Sequence, residues 1–502
     1  MNLDSIEKHA DEVYASIKAY VKGVEKETFL GMERDLRPKI FELACILLQL
    51  YIAQISEKLD LTDYIKNGDY RKKPLAKKVL KTTFGEVEYL RTYLQKKHGS
   101  GGFCPLDVVL GVFADGFSPF MISLVTRTTT RLSFSASTLI LKWFLGRSPS
   151  VEAAEGLVLG LGRKAGEYME TYSPPEGDGE ILVIEIDGKA TPTATEQELE
   201  KRRGKRCQSG VSCNCEAKCQ RHRGQSKRNG KKKARKKKGD KSKNGRSITL
   251  VAMYTLKRGA DGKMHGPINK KIWGSYNTRK VMMQWAKRHA LLRGFSLGSK
   301  NIQIVMDGEV CLAKGLKEIF TEARFTLDIR HLEEYLWELG RHYHKEGSEE
   351  LAEWVSKHKQ YLYEGCEKKL LEKLKGYWRK LSKRTKKDSG KVGGLAKMIS
   401  YMEPRLSMMD YKDIIENDLV LGSGVIEGAA RYVVGERMDC SGMRWTMGRA
   451  EALLHLRCIE LNGDWESFYE SFYQNSLTEL KKLKPVKVRS TCPIPIDKEE
   501  SS

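Results

Sequence analysis

The 502-residue chain lacks an uninterrupted apolar run of membrane-spanning length: a long one, Phe41 to Ile55, is broken by Glu42 and Gln49 and reads as a core helix. It also lacks the apolar core of a secretory leader, since MNLDSIEKHADEV carries acids early. The cytoplasm is therefore the expected compartment, and no membrane partner is expected. Eleven cysteines without an export signal argue against a disulfide framework. Those scattered singly, such as Cys45, Cys311 and Cys458, read as small buried hydrophobes. No Walker loop, Ser-His-Asp arrangement or internal repeat is visible, which removes the commonest nucleotide-hydrolysing and acyl-transfer chemistries.

What is present is positive charge. The formal net charge is +24, which suggests a polyanionic partner. It is unevenly spread: residues 201–246 hold 20 Lys and Arg against two acids, Glu216 and Asp240. The run Lys231, Lys232, Lys233, Ala234, Arg235, Lys236, Lys237, Lys238 suits phosphate neutralisation with little sequence information. The same segment contains Cys207, Cys213, Cys215, Cys219 and His222. Two readings stand: a tetrahedral zinc knuckle, or a basic loop with incidental cysteines.

Length predicts several structural units. Residues 1–72 form an N-terminal helical region, with helical periodicity over 1–65, a helix start signalled at Asp35 and Pro38 and an apolar stripe of Ile40, Leu43, Ala44, Leu47 and Leu48. Residues 73–175 begin with a hairpin at 79–94 around Gly85 and continue with helices. The stretch 135–168 has the helix, glycine turn and helix of a helix-turn-helix, a candidate DNA-binding element. The Pro- and Gly-rich stretch TYSPPEGDGE marks a boundary, after which 176–470 forms a catalytic domain, followed by a tail at 471–502. Within that domain the predicted order is three strands (181–188, 247–256, 269–278), a helix (279–292), a strand (300–309), a helix (310–320) and a strand at ARFTLDIRH. The expected class is mixed α/β. A mostly helical stretch follows at about 331–420, with a loop at 386–394, then helices at 424–436 and 447–461.

Three carboxylates stand out. Asp187 and Asp307 each close an apolar strand, VIEIDG and IQIVMDG, and residues at strand ends open into the crevice where ligands bind. Taken singly, each is also compatible with an ordinary Asp-Gly turn. Glu427 lies among small residues in LGSGVIEGAARYVVGERM, where its charge would also suit a helix start. Phosphodiester cleavage and transfer need an activated nucleophile and a stabilised leaving oxygen, which two Mg²⁺ or Mn²⁺ ions about 3.5–4 Å apart supply. Such ions take a few carboxylates and keep several waters.

With these residues in view, the chain resembles bacterial insertion-sequence transposases of the DDE class, of the ISKra type. The similarity covers about residues 75–470 and rests on TTFGEVEYLRTY, CPLDVVLGV, the IDGK and MDGE strands, DIRHLEEYL, LGSGVIEGAARYVVGERM, SGMRW and LRCIELNGDWESF. The resemblance implies a ribonuclease-H-like catalytic domain with a large helical insertion, preceded by a mainly helical DNA-binding region. Asp187, Asp307 and Glu427 become the catalytic, metal-binding acids. Double-stranded DNA, both transposon ends and target, becomes the partner, bound at the nucleoid by a homo-oligomer in a synaptic complex. Asp328 and His331 match a position where related enzymes carry a Cys/Asp-x-x-His pair, which makes them auxiliary candidates at the metal site or DNA. The paired-cysteine knuckle that follows the early hairpin in the family is reduced here to Cys104. Arg444 beside Trp445 suits phosphate contact with base stacking, or else Trp445 is a core residue. A nuclease without strand transfer and a non-catalytic DNA-binding derivative are the competing functions.

Overall fold

The computed structural model describes residues 3–23, 28–62, 65, 69–98, 101–113, 116–171, 173–196, 245–383, 389–440, 443–483 and 487–488. Lys231–Lys238 and the cluster Cys207, Cys213, Cys215, Cys219 and His222 lie outside them. Two compact units divide near residue 158: residues 1–158 with 465–502, and residues 159–464.

The first unit opens with α1 (Leu3–Gly23) and α2 (Phe29–Lys58). Against expectation, α2 starts at Thr28, whose hydroxyl accepts from the Gly31 N–H (3.2 Å), and runs straight through Pro38. The expected stripe is also rotated: Ile40 and Leu47 are exposed, whereas Ile46 and Ile52 are buried. The reason is that α2 is apolar on most sides and uses two of them. Ile46, Leu43 and Leu50 join Ile6 and Ala10 of α1, while Ile52, Leu48 and Cys45 pack with the hairpin residues Leu80, Val87 and Tyr89. Among the described residues α2 is the one helix long and apolar enough to cross a bilayer. That hairpin is β1 (Ala76–Lys81) paired antiparallel with β2 (Glu86–Arg91).

Next come α3 (Pro119–Arg131), α4 (Phe134–Leu145) and α5 (Val151–Thr171). Ser118 and Ser133 cap α3 and α4 by accepting from Met121 N and Ala136 N, each at 3.2 Å. Gly146, at φ +71°, ends α4 in a left-handed turn closed to most side chains. Met121, Ile122, Val125, Leu141, Ala154 and Leu157 form the core these helices share.

The second unit is a mixed α/β structure around a five-stranded sheet. Its strands are β3 (Ile181–Pro192), β4 (Gly245–Arg258), β5 (Met264–Ser275), β6 (Ile302–Met306) and β7 (Arg324–Leu327). The spatial order is β7-β6-β3-β4-β5, with β3, β4 and β5 antiparallel and β6 and β7 parallel to β3. Two crossover helices, α6 (Arg279–Leu292) and α7 (Val310–Ile319), connect the parallel part. Parallel strands need such crossovers, and every residue of β6, bracketed by β3 and β7, is buried because neither face sees water.

After β7 the chain is helical: α8 (Ile329–Gly340), α9 (Glu349–Tyr363), α10 (Glu367–Ser382), α11 (Ser389–Met402), a 3₁₀ turn at Glu403–Met408, and α12 (Tyr411–Glu416). Part of the loop expected at 386–394 is thus the first turn and more of α11. The chain returns to the sheet as α13 (Gly424–Ala429), which continues through a π-turn (Ala430–Gly435) to Met438 and packs on β3 and β4. Finally α14 (Met447–Leu461) lies against β5.

Candidate active site

The candidate site lies where β6 stops and β3 does not. Register pairs Val305 with Glu185, so two residues further on Asp307 and Asp187 stand at neighbouring positions across parallel strands. Adjacent strands lie about 4.8 Å apart, which makes the two carboxylates close neighbours. The expected symmetry between them fails in one respect. Asp307-Gly308 is a true turn with Gly308 at φ +81°, but Asp187-Gly188 is not: β3 runs on to Pro192 because β4 keeps pairing with it. Asp187 therefore marks the step at which one neighbour ends.

Both acids are held. Asp187 Oδ1 accepts from the Gly188 N–H (2.6 Å), and Asp307 Oδ1 from the Glu309 N–H (3.1 Å). The Asp307 turn is braced from the helical insertion: Tyr401 donates its hydroxyl to Asp307 O (3.0 Å), and Arg405 donates Nε to Gly308 O (2.6 Å). Arg405 lies over the Tyr401 ring at 4.3 Å. Burial raises the Asp187 carboxyl above its ordinary range and the Asp307 charge adds to that; the Gly188 N–H, His331 and Lys189 oppose it.

Glu427 arrives from α13, its side chain 39% exposed. Its immediate neighbours are Asp328 and His331. Among the described residues, these three form the group whose possible ligand atoms all lie within 4.8 Å of one another. His331 Nε2 is 3.9 Å from Glu427 Oε1. Burial raises the Glu427 carboxyl, Asp328 raises it further, and His331 and Arg330 work against this. The tight trio is thus Asp328, His331 and Glu427. Asp187 lies within electrostatic reach of it, since His331 acts on Asp187 as well as on Glu427, and Asp307 acts on Asp187 in turn.

Asp328 has a structural duty too. It is fully buried, caps α8 by accepting from the Arg330 N–H (2.8 Å), and accepts both the N–H (3.2 Å) and the hydroxyl of Ser423.

Sequence reasoning missed Glu185. It is the glutamate inside VIEIDG, with no exposed surface, on the same face of β3 as Asp187. It accepts from the Tyr254 hydroxyl (2.6 Å) and from the Ile426 N–H (2.7 Å). Burial pushes its carboxyl up to about 7, which the bonds from Tyr254 and Ile426 moderate and the Asp328 and Glu427 charges reinforce. One signal was available: a carboxylate amid residues that pack on both faces needs dedicated donors. Arg457 of α14 was missed as well. It is buried and donates Nε to Tyr432 O (3.1 Å) and Val433 O (2.7 Å), carbonyls of the π-turn. Such turns recur at functional sites.

Of the two readings open for Trp445, the structure favours the core residue over base stacking. It is 8% exposed, its indole N–H donates to Met438 O (2.9 Å), and Arg437 covers its ring at 5.2 Å. Its backbone joins the end of β3, with Ala194 N donating to Trp445 O (2.9 Å). It is a packing residue, while Arg444 beside it is exposed.

The donor set is hard carboxylate oxygen with one imidazole, and the neighbouring negative charge that adds to burial in raising Asp187 and Glu427 is what a divalent cation would relieve. The residues present fit such an ion.

No protein-family model matches the chain. One curated protein to which it is similar is the "UPF0236 protein in vanSb 3'region" of Streptococcus gallolyticus, 28% identical over 141 residues. The match spans 27% of this chain and 31% of that protein, so it covers less than a third of either.

Proposed function

We propose that the chain is a DNA transposase of the DDE class, of the kind bacterial insertion sequences of the ISKra type encode. The observation that carries the reading is that Asp187, beside Asp307 on neighbouring parallel strands, lies within electrostatic reach of His331, which is itself 3.9 Å from Glu427. The sheet order supports a ribonuclease-H-like assignment: three antiparallel strands, then two parallel ones added beside the first. The helices between β7 and α13 match the helical insertion expected between the second Asp and the Glu.

Asp187, Asp307 and Glu427 would hold two Mg²⁺ or Mn²⁺ ions, with Asp328 and His331 adjoining. Bound there, the ions supply activation of the attacking oxygen and stabilisation of the leaving one. The chain's own part is orientation. Asp187 is set by a strand paired beyond the point where β6 ends, and Asp307 by a turn braced by Tyr401 and Arg405. His331, within reach of Glu427, can hold or pass a proton at the mouth of the crevice. The partner is double-stranded DNA, gripped by Arg444 and the 201–246 segment, in a homo-oligomer that pairs two ends in the bacterial cytoplasm.

The test uses labelled transposon ends and a target plasmid with Mg²⁺ or Mn²⁺. Cleaved ends joined to target support the proposal. Cleavage without joined product indicates a nuclease, and binding without cleavage a non-catalytic derivative. Asp187→Asn should abolish cleavage and leave end binding nearly intact; undiminished cleavage defeats the site assignment.

A further inference from the structure

The helix carrying Glu427 is not capped by its own first residue. Ser423 stands at the N-cap, yet its side chain caps no backbone N–H of the helix, reaching only the Glu427 carboxylate at 3.5 Å. Its hydroxyl and its N–H both turn to Asp328. The first N–H groups of a helix have no partner inside it and need one from elsewhere. For Ile426, in that first turn, the partner comes from 241 residues away: Glu185 of β3, at 2.7 Å.

We infer that Glu185 is a positioning residue that sets where Glu427 stands relative to Asp187. Glu185 lies two residues before Asp187 on one face of β3, and Ile426 immediately precedes Glu427. A single fully buried side chain therefore ties the strand of one acid to the helix of another. Each oxygen of the carboxylate accepts a hydrogen bond, Oε1 from Tyr254 (2.6 Å) and Oε2 from Ile426. Glu185 is thereby assigned to the framework and not to the crevice. Tyr254 fixes its rotamer from β4, so the latch is referenced to two strands at once. The catalytic meaning of this latch rests on the metal-site reading proposed above; the latch itself does not.

Two measurements on the full chain test it. In hydrogen exchange, Glu185→Ala should speed exchange of the peptide covering 424–430 at least tenfold. Glu185→Gln should stay within threefold of the parent, because the amide oxygen can accept from Ile426 while the NH₂ group donates to the Tyr254 oxygen. If Glu185→Ala does not fold, Glu185→Leu, which fills the strand position without an acceptor, takes its place. Unchanged exchange at 424–430 overturns the inference.

The second measurement is Mn²⁺ affinity by electron paramagnetic resonance, well below the melting temperature. The acceptor-free variant should bind at least tenfold more weakly, and Glu185→Gln within threefold. In a Glu427→Gln background the acceptor-free change should add less than twofold, because its effect passes through Glu427. A full additive loss there shows a general structural role and also overturns the inference. A parent chain that takes up no Mn²⁺ refutes the metal site of the proposed function instead, and the exchange result then decides the latch alone.

Discussion

Ser423, at the head of the Glu427 helix, spends both its N–H and its hydroxyl on the carboxylate of Asp328, 95 residues earlier. Asp328 also caps α8 through Arg330, so one buried side chain aligns the starts of two helices. Removing it in Asp328→Ala leaves buried donors unsatisfied, with an expected loss of roughly 2–4 kcal/mol. Ser423→Ala removes one donor only and should cost about 1–2 kcal/mol. Urea unfolding of both variants checks the order, and an Asp328→Ala loss no larger than that of Ser423→Ala contradicts this account.

The two Asp-Gly pairs should respond differently to alanine. At Gly308 the backbone is at φ +81° and a Cβ would overlap Leu327 Cδ1 and come 2.6 Å from Arg405 Nε. Gly308→Ala is expected to cost roughly 1–3 kcal/mol and to displace Asp307. At Gly188 the nearest atom to a Cβ is Ser247 Oγ at 3.4 Å, so Gly188→Ala should stay within about 0.5 kcal/mol of the parent. Thermal unfolding of the two variants decides it.

Trp445 and Arg444 separate stability from DNA contact. Trp445→Phe leaves Met438 O without its buried donor and should lower stability by about 1–3 kcal/mol, with DNA affinity in the cold nearly unchanged. Arg444→Ala should do the reverse. Filter binding and calorimetry on both variants test the division, and loss of DNA affinity in folded Trp445→Phe returns that residue to the interface.

His289 makes the second unit acid-sensitive. Burial, with Arg288 and Arg293 nearby, lowers its imidazole to about 4 from 6.5, against the opposing bond to the Met169 backbone. A depressed folded value means stability is fully present above pH 6.5 and is lost as pH falls from 6.5 towards 4, because the unfolded chain takes the proton first. The loss is on the order of 3 kcal/mol. His289→Phe should flatten that limb of the stability–pH curve, and an unchanged acid limb rejects the assignment.

The basic segment should govern salt dependence. Deleting 201–246 removes 20 Lys and Arg, and the slope of log affinity against log salt should flatten by roughly 0.9 for each phosphate no longer contacted. A mobility-shift titration at several salt concentrations measures it. An unchanged slope places the grip on DNA elsewhere.

Elements with a strong local pattern were legible. Residues 279–292 carry a clear helical run after Thr278, and α6 spans Arg279–Leu292. The apolar strands around Asp187 and Asp307 were equally plain, since buried strands tolerate few polar residues. Misreadings arose where a local signal was overruled by neighbours. Pro38 looked like a helix start, yet α2 already has a capped turn before it and packing along its length. Asp187-Gly188 looked like a strand end, yet continued pairing with β4 carries the strand on to Pro192. Trp445 beside an arginine allowed either a stacking platform or a core residue, and Met438 O at its polar edge with Arg437 on its face decides for the core.

By itself, the order of residues determined which segments could be strands or helices, where positive charge concentrates, and that acids at 187, 307 and 427 stand in unusual settings. Those properties depend on side-chain type and short-range periodicity, which a linear reading contains. Only the tertiary structure decided that Glu427 meets Asp328 and His331, that Ser423 serves Asp328, and that Glu185 holds the Ile426 amide. Such pairings join groups between 95 and 241 residues apart. They follow from how the sheet and its covering helices satisfy buried donors and acceptors, a demand that exists only once water has been excluded.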